Sequence, residues 1–140
     1  MRDMFVREAG IEYNLQLIHV LILRFKFTTK YRSAMYSTVF VTVPDMDTAR
    51  NLARKLVERK LVACANIFPV TSIYTWEGNI EEDTECIVLL KICTENFEDV
   101  KEEILRMHPY DLPCIVRYAI NDGHKKYLEW ISETTGQGGI

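Results

Sequence analysis

The residues best equipped for chemistry lie in one short segment, Met107-His108-Pro109-Tyr110, followed closely by Pro113. Two prolines four apart stiffen an extended connector and hold His108 and Tyr110 in fixed directions. An imidazole presented this way suits a soft or borderline metal, and the Met107 thioether beside it tolerates Cu(I). The plainer alternative is that His108 caps the negative end of a preceding helix. One His and one Met do not complete a metal site by themselves. A second group joins aromatics to a cation. Tyr74 and Trp76 share one face of a strand-like run, Lys91 lies on the run that pairs with it, and Tyr127 and Trp130 lie on a later helix. With Tyr110 nearby, these residues suit a packed subunit boundary or a small-anion pocket.

Other chemistries are poorly represented. The chain has no Gly-x-Gly-x-x-Gly, no Gly-Lys-Ser/Thr and no Gly-x-Ser-x-Gly, and no two histidines lie four apart. Glu77, Glu81, Glu82, Asp83 and Glu85 offer hard oxygen ligands, but not at the spacing of a calcium loop, so a solvated turn is the simpler account. Cys64, Cys86, Cys93 and Cys114 fall in apolar, strand-like stretches without Cys-x-x-Cys or zinc spacing. They read as buried free thiols of a reducing compartment, which points to the cytoplasm.

These groups must be positioned by about one domain's worth of chain, 140 residues with 48% apolar and 26% charged side chains. The net charge of −3 argues against a general nucleic-acid binder. Charge is unevenly placed: residues 1–34 carry a basic surplus, whereas residues 35–140 are acidic. We therefore treat 1–34 as an N-terminal extension, either dispensable or artefactual or a targeting or docking segment, and 35–140 as the domain. The apolar run Leu15 to Leu23 is far short of the ~20 residues that span a bilayer. Asp3, Glu8 and Glu12 also sit poorly in a signal or transit peptide.

Within the domain, β-branched residues from Ser37 to Val43 predict a strand ending at Pro44. Asp45 or Asp47 can cap a helix that places Ala49, Leu52, Ala53, Leu56 and Val57 on one face. Two long strand-like runs, Ala63 to Glu77 and Ile80 to Cys93, meet at a Gly78-Asn79 hairpin turn, with a bend or bulge expected at Pro69. A second helix runs from about Glu95, with Phe97, Val100 and Ile104 inward, and stops before Pro109. Pro113 to Ile120 is a fourth strand. Asp122 can cap a last helix carrying Tyr127, Leu128 and Ile131.

The order β-α-β-β-α-β plus a terminal helix predicts an α+β, ferredoxin-like split βαβ domain with one antiparallel sheet and two helices on one face. That leaves a difficulty on the other face. Ile87 and Leu89 alternate with Cys86, Val88 and Leu90, so both sides of this strand are apolar. A single sheet under two helices covers only one of them. The second face therefore calls for another copy of the chain.

Taken together, several spaced segments resemble the CutA family of divalent-cation-tolerance proteins. They are Val43-Pro44, Leu61 to Pro69, Ser72 to Gly78, Leu90-Lys91, His108-Pro-Tyr110 with Pro113, and Tyr127-Leu-Glu-Trp130. The resemblance spans about residues 37–132. It implies a compact homotrimer without established enzymatic activity, no required cofactor, and a role in metal tolerance with copper as the bound ion. In the family's bacterial members the copper ligands are a first-strand cysteine and a His-His pair. Those positions are Val41, Met107 and His108 here, so only His108 is kept. The expected function is a non-enzymatic, copper-binding homotrimer, with His108 and Met107 at the metal. The alternative is a small-molecule-binding trimer analogous to the nitrogen-regulatory PII proteins, with Lys91, Trp76, Tyr110 and Trp130 near a subunit boundary.

Overall fold

The computed structural model describes residues 34–136, together with the two-residue strands Arg7–Glu8 and Ile11–Glu12, which pair with each other. The chain divides into two compact units, Met1–Arg32 and Ser33–Ile140. The expectations for the N-terminal extension otherwise lie outside the described residues.

In the second unit the elements follow as β1 (Tyr36–Val43), α1 (Met46–Glu58), β2 (Cys64–Trp76), β3 (Asn79–Cys93), α2 (Phe97–Met107), β4 (Ile115–Ile120) and α3 (Lys125–Thr134). The strands form one antiparallel sheet in the order β2-β3-β1-β4. This is the split βαβ arrangement that the alternation of patterns predicts.

Strand periodicity decides what each face carries. On β1, Val39, Val41 and Val43 are fully buried. They join Val88, Leu90 and Ile92 of β3 under Leu52 and Leu56 of α1 and Val100 and Ile104 of α2. Burying each such side chain contributes about 1.5–3 kcal/mol before the entropy of ordering is counted.

Helix ends are set locally. Asp45, in extended conformation, caps α1 by accepting the Thr48 N–H at 2.7 Å, which holds its carboxyl below the usual range. At the other end Lys60 adopts φ +56°. Its N–H donates to the Val57 carbonyl and the Leu61 N–H to the Leu56 carbonyl, a Schellman closure made with lysine where glycine is usual. A turn of 3-10 helix, Thr94–Asn96, precedes α2. That helix stops at Met107, because His108, lying before Pro109, is extended. Glu103 on α2 pairs with Arg59, just past α1, and with Arg106 at 3.0 Å. The Arg59 hydrogen bond is the main influence lowering the Glu103 carboxyl pKa.

Five sequence expectations need correction. The hairpin turn is Glu77-Gly78 rather than Gly78-Asn79: Trp76 pairs with Asn79, and Glu77 and Gly78 take φ +48° and +84°. Two positive φ values suit the twist of a two-residue hairpin, so even glutamate is held there. Pro69 causes no bulge. Pairing of β2 with β3 is unbroken from Cys64↔Lys91 through Pro69↔Cys86 to Trp76↔Asn79. An edge strand tolerates proline when the missing N–H lies on its unpaired side. Val57 is exposed because it falls past the rim of the α1 apolar stripe. Asp122 does not cap α3; its side chain accepts from the adjacent Gly123 N–H, and His124 stands at the cap position without a side-chain bond. Finally, β4 begins at Ile115, two residues after Pro113.

The terminal helix takes a place that the pattern did not specify. It packs on the sheet side away from α1 and α2, where Ile131 is buried with Ala63 and Cys93 beside Tyr36 and Leu128. Tyr36 Oη to Ser132 Oγ (2.9 Å) and Cys93 Sγ to Thr135 Oγ1 (3.4 Å) fasten it. It shelters one end of that face. Farther along, Ile87 and Leu89 are buried or half-buried between their neighbouring strands, while Phe68, Val116 and Tyr118 are 39%, 42% and 55% exposed. Beyond the Val43↔Cys86 pair, β2 and β3 continue as a two-stranded ribbon to the turn at Glu77-Gly78.

Candidate functional site

The sequence candidates separate into two places. Lys91 and Cys64 face each other near one end of the β2–β3 pairing, and Trp76 lies twelve residues along β2. At about 3.3 Å per residue, that is about 40 Å of strand. Lys91, Tyr127 and Trp130 therefore belong to the α3 end, whereas Tyr74, Trp76 and Tyr110 belong to the ribbon end.

At the α3 end, the Tyr127 hydroxyl and the Cys64 thiol are 3.3 Å apart, and the Tyr127 ring stacks on Trp130 at 5.5 Å. Burial, then the Cys64 contact, pushes Tyr127 up to about 12. Lys91 donates to the Asn66 side-chain carbonyl. The four cysteines are free thiols, although only Cys86 and Cys93 are buried; Cys64 is half-buried and Cys114 exposed. The expectation of four buried thiols fails at those two because Cys64 lies on the outer strand β2 and Cys114 in the connector just before β4.

At the ribbon end, a cleft of about 680 Å³ opens between the hairpin and the 109–114 connector. Tyr74 and Trp76 share one face of β2, as their spacing requires, and line it with Ser72, Tyr110, Leu112 and Cys114. Glu85 lines it too, although it is only 7% exposed. The Tyr110 hydroxyl donates to Glu85 at 2.9 Å, and the Tyr74 hydroxyl donates to Asp83. Both phenols are pushed up to about 12, Tyr110 chiefly by burial and then by Glu85, Tyr74 chiefly by its Asp83 bond. Burial, then the Glu85 charge, also raises the Cys114 thiol. Sequence reasoning missed Glu85 as a member of this site. The available signal was a carboxylate directly beside Ile87 and Leu89, the apolar stretch of that strand face.

His108 sits beside the cleft and orders the connector. Its Nδ1 accepts the Tyr110 N–H at 3.1 Å, so in the neutral ring Nε2 carries the hydrogen and donates to the Thr42 carbonyl at 2.7 Å. Its ring also lies 5.0 Å from that of Tyr110. Both ring nitrogens are thus engaged. His108 does hold the C-cap position of α2, but its ring reaches across to β1 instead of back to the helix. Met107 packs against the helix-covered core, and Val41 is wholly buried there. Among the described residues no three His, Cys, Asp or Glu side chains are grouped to hold a metal ion.

The fold and these segments have close counterparts. The family described as CutA1 divalent ion tolerance protein matches residues 37–134. The divalent-cation tolerance protein CutA of Thermus thermophilus is 45% identical over 103 residues, 73% of this chain and 100% of that protein. The CutA homolog of Danio rerio is 42% identical over 108 residues, 76% of this chain and 72% of its own. Among solved structures, the periplasmic divalent cation tolerance protein CutA from Archaeoglobus fulgidus superposes with a TM-score of 0.71 at 42% identity, covering 72% of this chain and 99% of that one. On the family match over most of its domain, supported by these likenesses, the chain belongs to the CutA1 divalent ion tolerance family.

Proposed function

We propose that this chain works as a homotrimer in divalent-cation tolerance, without catalysing a reaction, and that it contacts copper only weakly. The observation that carries the assembly is the sheet face opposite α1 and α2. Phe68, Val116 and Tyr118 lie open there, and the ribbon adds Ile73, Tyr74, Trp76 and Ile80, all 41% exposed or more. A two-stranded ribbon is marginal alone, and apolar surface of this extent is what a sibling subunit covers. The aromatic residues singled out from sequence are available at both ends of that face for such packing.

The residues present fit a resident copper centre poorly. A copper ion at His108 must displace either the Tyr110 N–H from Nδ1 or the hydrogen that Nε2 gives to Thr42. Met107, the soft donor beside it, would have to leave its packing. Weak, exchangeable binding through the imidazole is the reading compatible with that geometry. The PII-like alternative shares only the subunit architecture, and no observation favours it.

Two measurements test this reading. Light scattering of the untagged protein should give about three times the subunit mass of 16.4 kDa, and a folded lone subunit at micromolar concentration would refute the assembly. Copper titration should show weaker binding by His108→Ala than by the wild type. Equal affinities would remove His108 from the account.

A further inference from the structure

The loop between β4 and α3 holds a reactive pair that divalent-cation tolerance does not use. Asp122-Gly123 is the one place in the sequence where an Asp or Asn precedes a glycine. Residues Asn121 to His124 are exposed and lie outside any helix or strand. Within that loop the Gly123 N–H donates to Asp122 Oδ1 at 2.8 Å, which sets the glycine nitrogen against the neighbouring carboxyl. An amide nitrogen so placed is an internal nucleophile, because proximity replaces the encounter that separate reactants would need. Glycine adds no side chain to obstruct it. Asp45 makes the contrast: it precedes Met46, and its carboxylate caps a helix by accepting the Thr48 N–H.

We propose that Asp122 is a site of spontaneous isomerisation to isoaspartate. The Gly123 nitrogen bonds to Cγ of the protonated Asp122 carboxyl, and its hydrogen leaves with the carboxyl hydroxyl as water, closing a cyclic imide. A water molecule then opens the ring. Breaking the nitrogen bond to Cγ restores aspartate, whereas breaking its bond to the main-chain carbonyl carbon leaves the chain running through the side chain. The reaction needs no pocket, counter-charge or ligand, since both reacting atoms belong to adjacent residues. Its product carries one more carbon in the main chain just before α3. Gly123 lies so close to Leu128 that an added Cβ would stand 3.5 Å from that side chain, and Leu128 packs against the cluster of Ile131, Ala63 and Cys93. Lengthening the link there loosens α3 from the end of the sheet face that it closes.

Trypsin, which cuts after Arg117 and Lys125, releases the site in the peptide Tyr118 to Lys125. After prolonged incubation of the full chain at neutral pH in heavy-oxygen water, a second form of that peptide should separate by chromatography, altered in mass only by one labelled oxygen. Gly123→Ala should lower its yield about tenfold. That variant keeps the fold, since Gly123 has no positive φ and its added Cβ would make an ordinary contact. Asp122→Asn, with ammonia leaving in place of water, should give the isoaspartyl peptide faster. In the converted chains, amide hydrogens of α3 should exchange faster than in the unconverted ones. The proposal fails if Gly123→Ala converts as fast or if Asp122→Asn keeps its amide. It fails also if no labelled form appears, as when a sibling subunit holds the loop too rigidly for the ring to close. Unchanged exchange in converted chains would overturn the link to α3.

Discussion

The two faces of the sheet solve the same problem by different means. Under α1 and α2, valine, leucine and isoleucine from four elements, β1, α1, β3 and α2, are buried almost completely. On the other face α3 closes only one end, and the rest is left to half-buried centres and exposed edges. Both faces alternate apolar residues with the same period, so periodicity alone does not distinguish them. The difference is the number of helices available: two cover a face, and one short helix covers a corner. An apolar strand face is therefore a statement about burial, and it leaves open whether the cover comes from the same chain.

That contrast can be broken most forcefully from the closed side. Leu90→Ala, at a fully buried position, should cost about 2–5 kcal/mol in denaturant unfolding, because the helices above it cannot collapse into the space. A loss below 1 kcal/mol would mean that this core is far looser than its burial implies. A smaller effect comes from the ion pairs that join the helices. The Glu103 carboxyl is lowered in the folded chain, so its contribution is present above the ordinary carboxylate range, near 4.5, and is lost as pH falls through the folded value. Glu103→Gln should flatten the acid limb of the stability profile, and an unchanged limb would show that Arg59 and Arg106 contribute little there.

The open side should respond least in folding and most in mass. Val116→Asp, at 42% exposure on that face, should change the stability of the isolated fold by about 0.5 kcal/mol or less. It should nevertheless shift the native mass toward single subunits, as read by sedimentation. A large unfolding penalty with unchanged mass would reverse the contrast between the two faces.

Much of this was legible beforehand because period and punctuation act locally. A cap at Asp45 or Asp47, the inward face of α1 apart from Val57, the stop before Pro109 and the succession of strands and helices follow from patterns a few residues long. What escaped depends on contacts remote in sequence. The position of α3 is fixed by Tyr36 and Cys93, 96 and 42 residues away from their partners Ser132 and Thr135. His108 is held by Thr42, 66 residues earlier, so a segment that reads as a ligand display is engaged at both ring nitrogens. The six aromatic and cationic candidates are expected at a subunit boundary; within one chain β2 is long enough to carry them to opposite ends, so only neighbouring copies could bring them together. Glu85 was visible on the strand and gained meaning only when Tyr110 arrived above it.

Pro69 has a consequence beyond its own strand. The thirteen residues of β2 form a long outer border of the sheet, and such a border invites indefinite stacking of chains into fibres. A residue without an amide hydrogen midway along it interrupts any continuous ladder that a stray strand would build there. Pro69 thus removes one donor from that border while leaving the inner pairing with β3 intact.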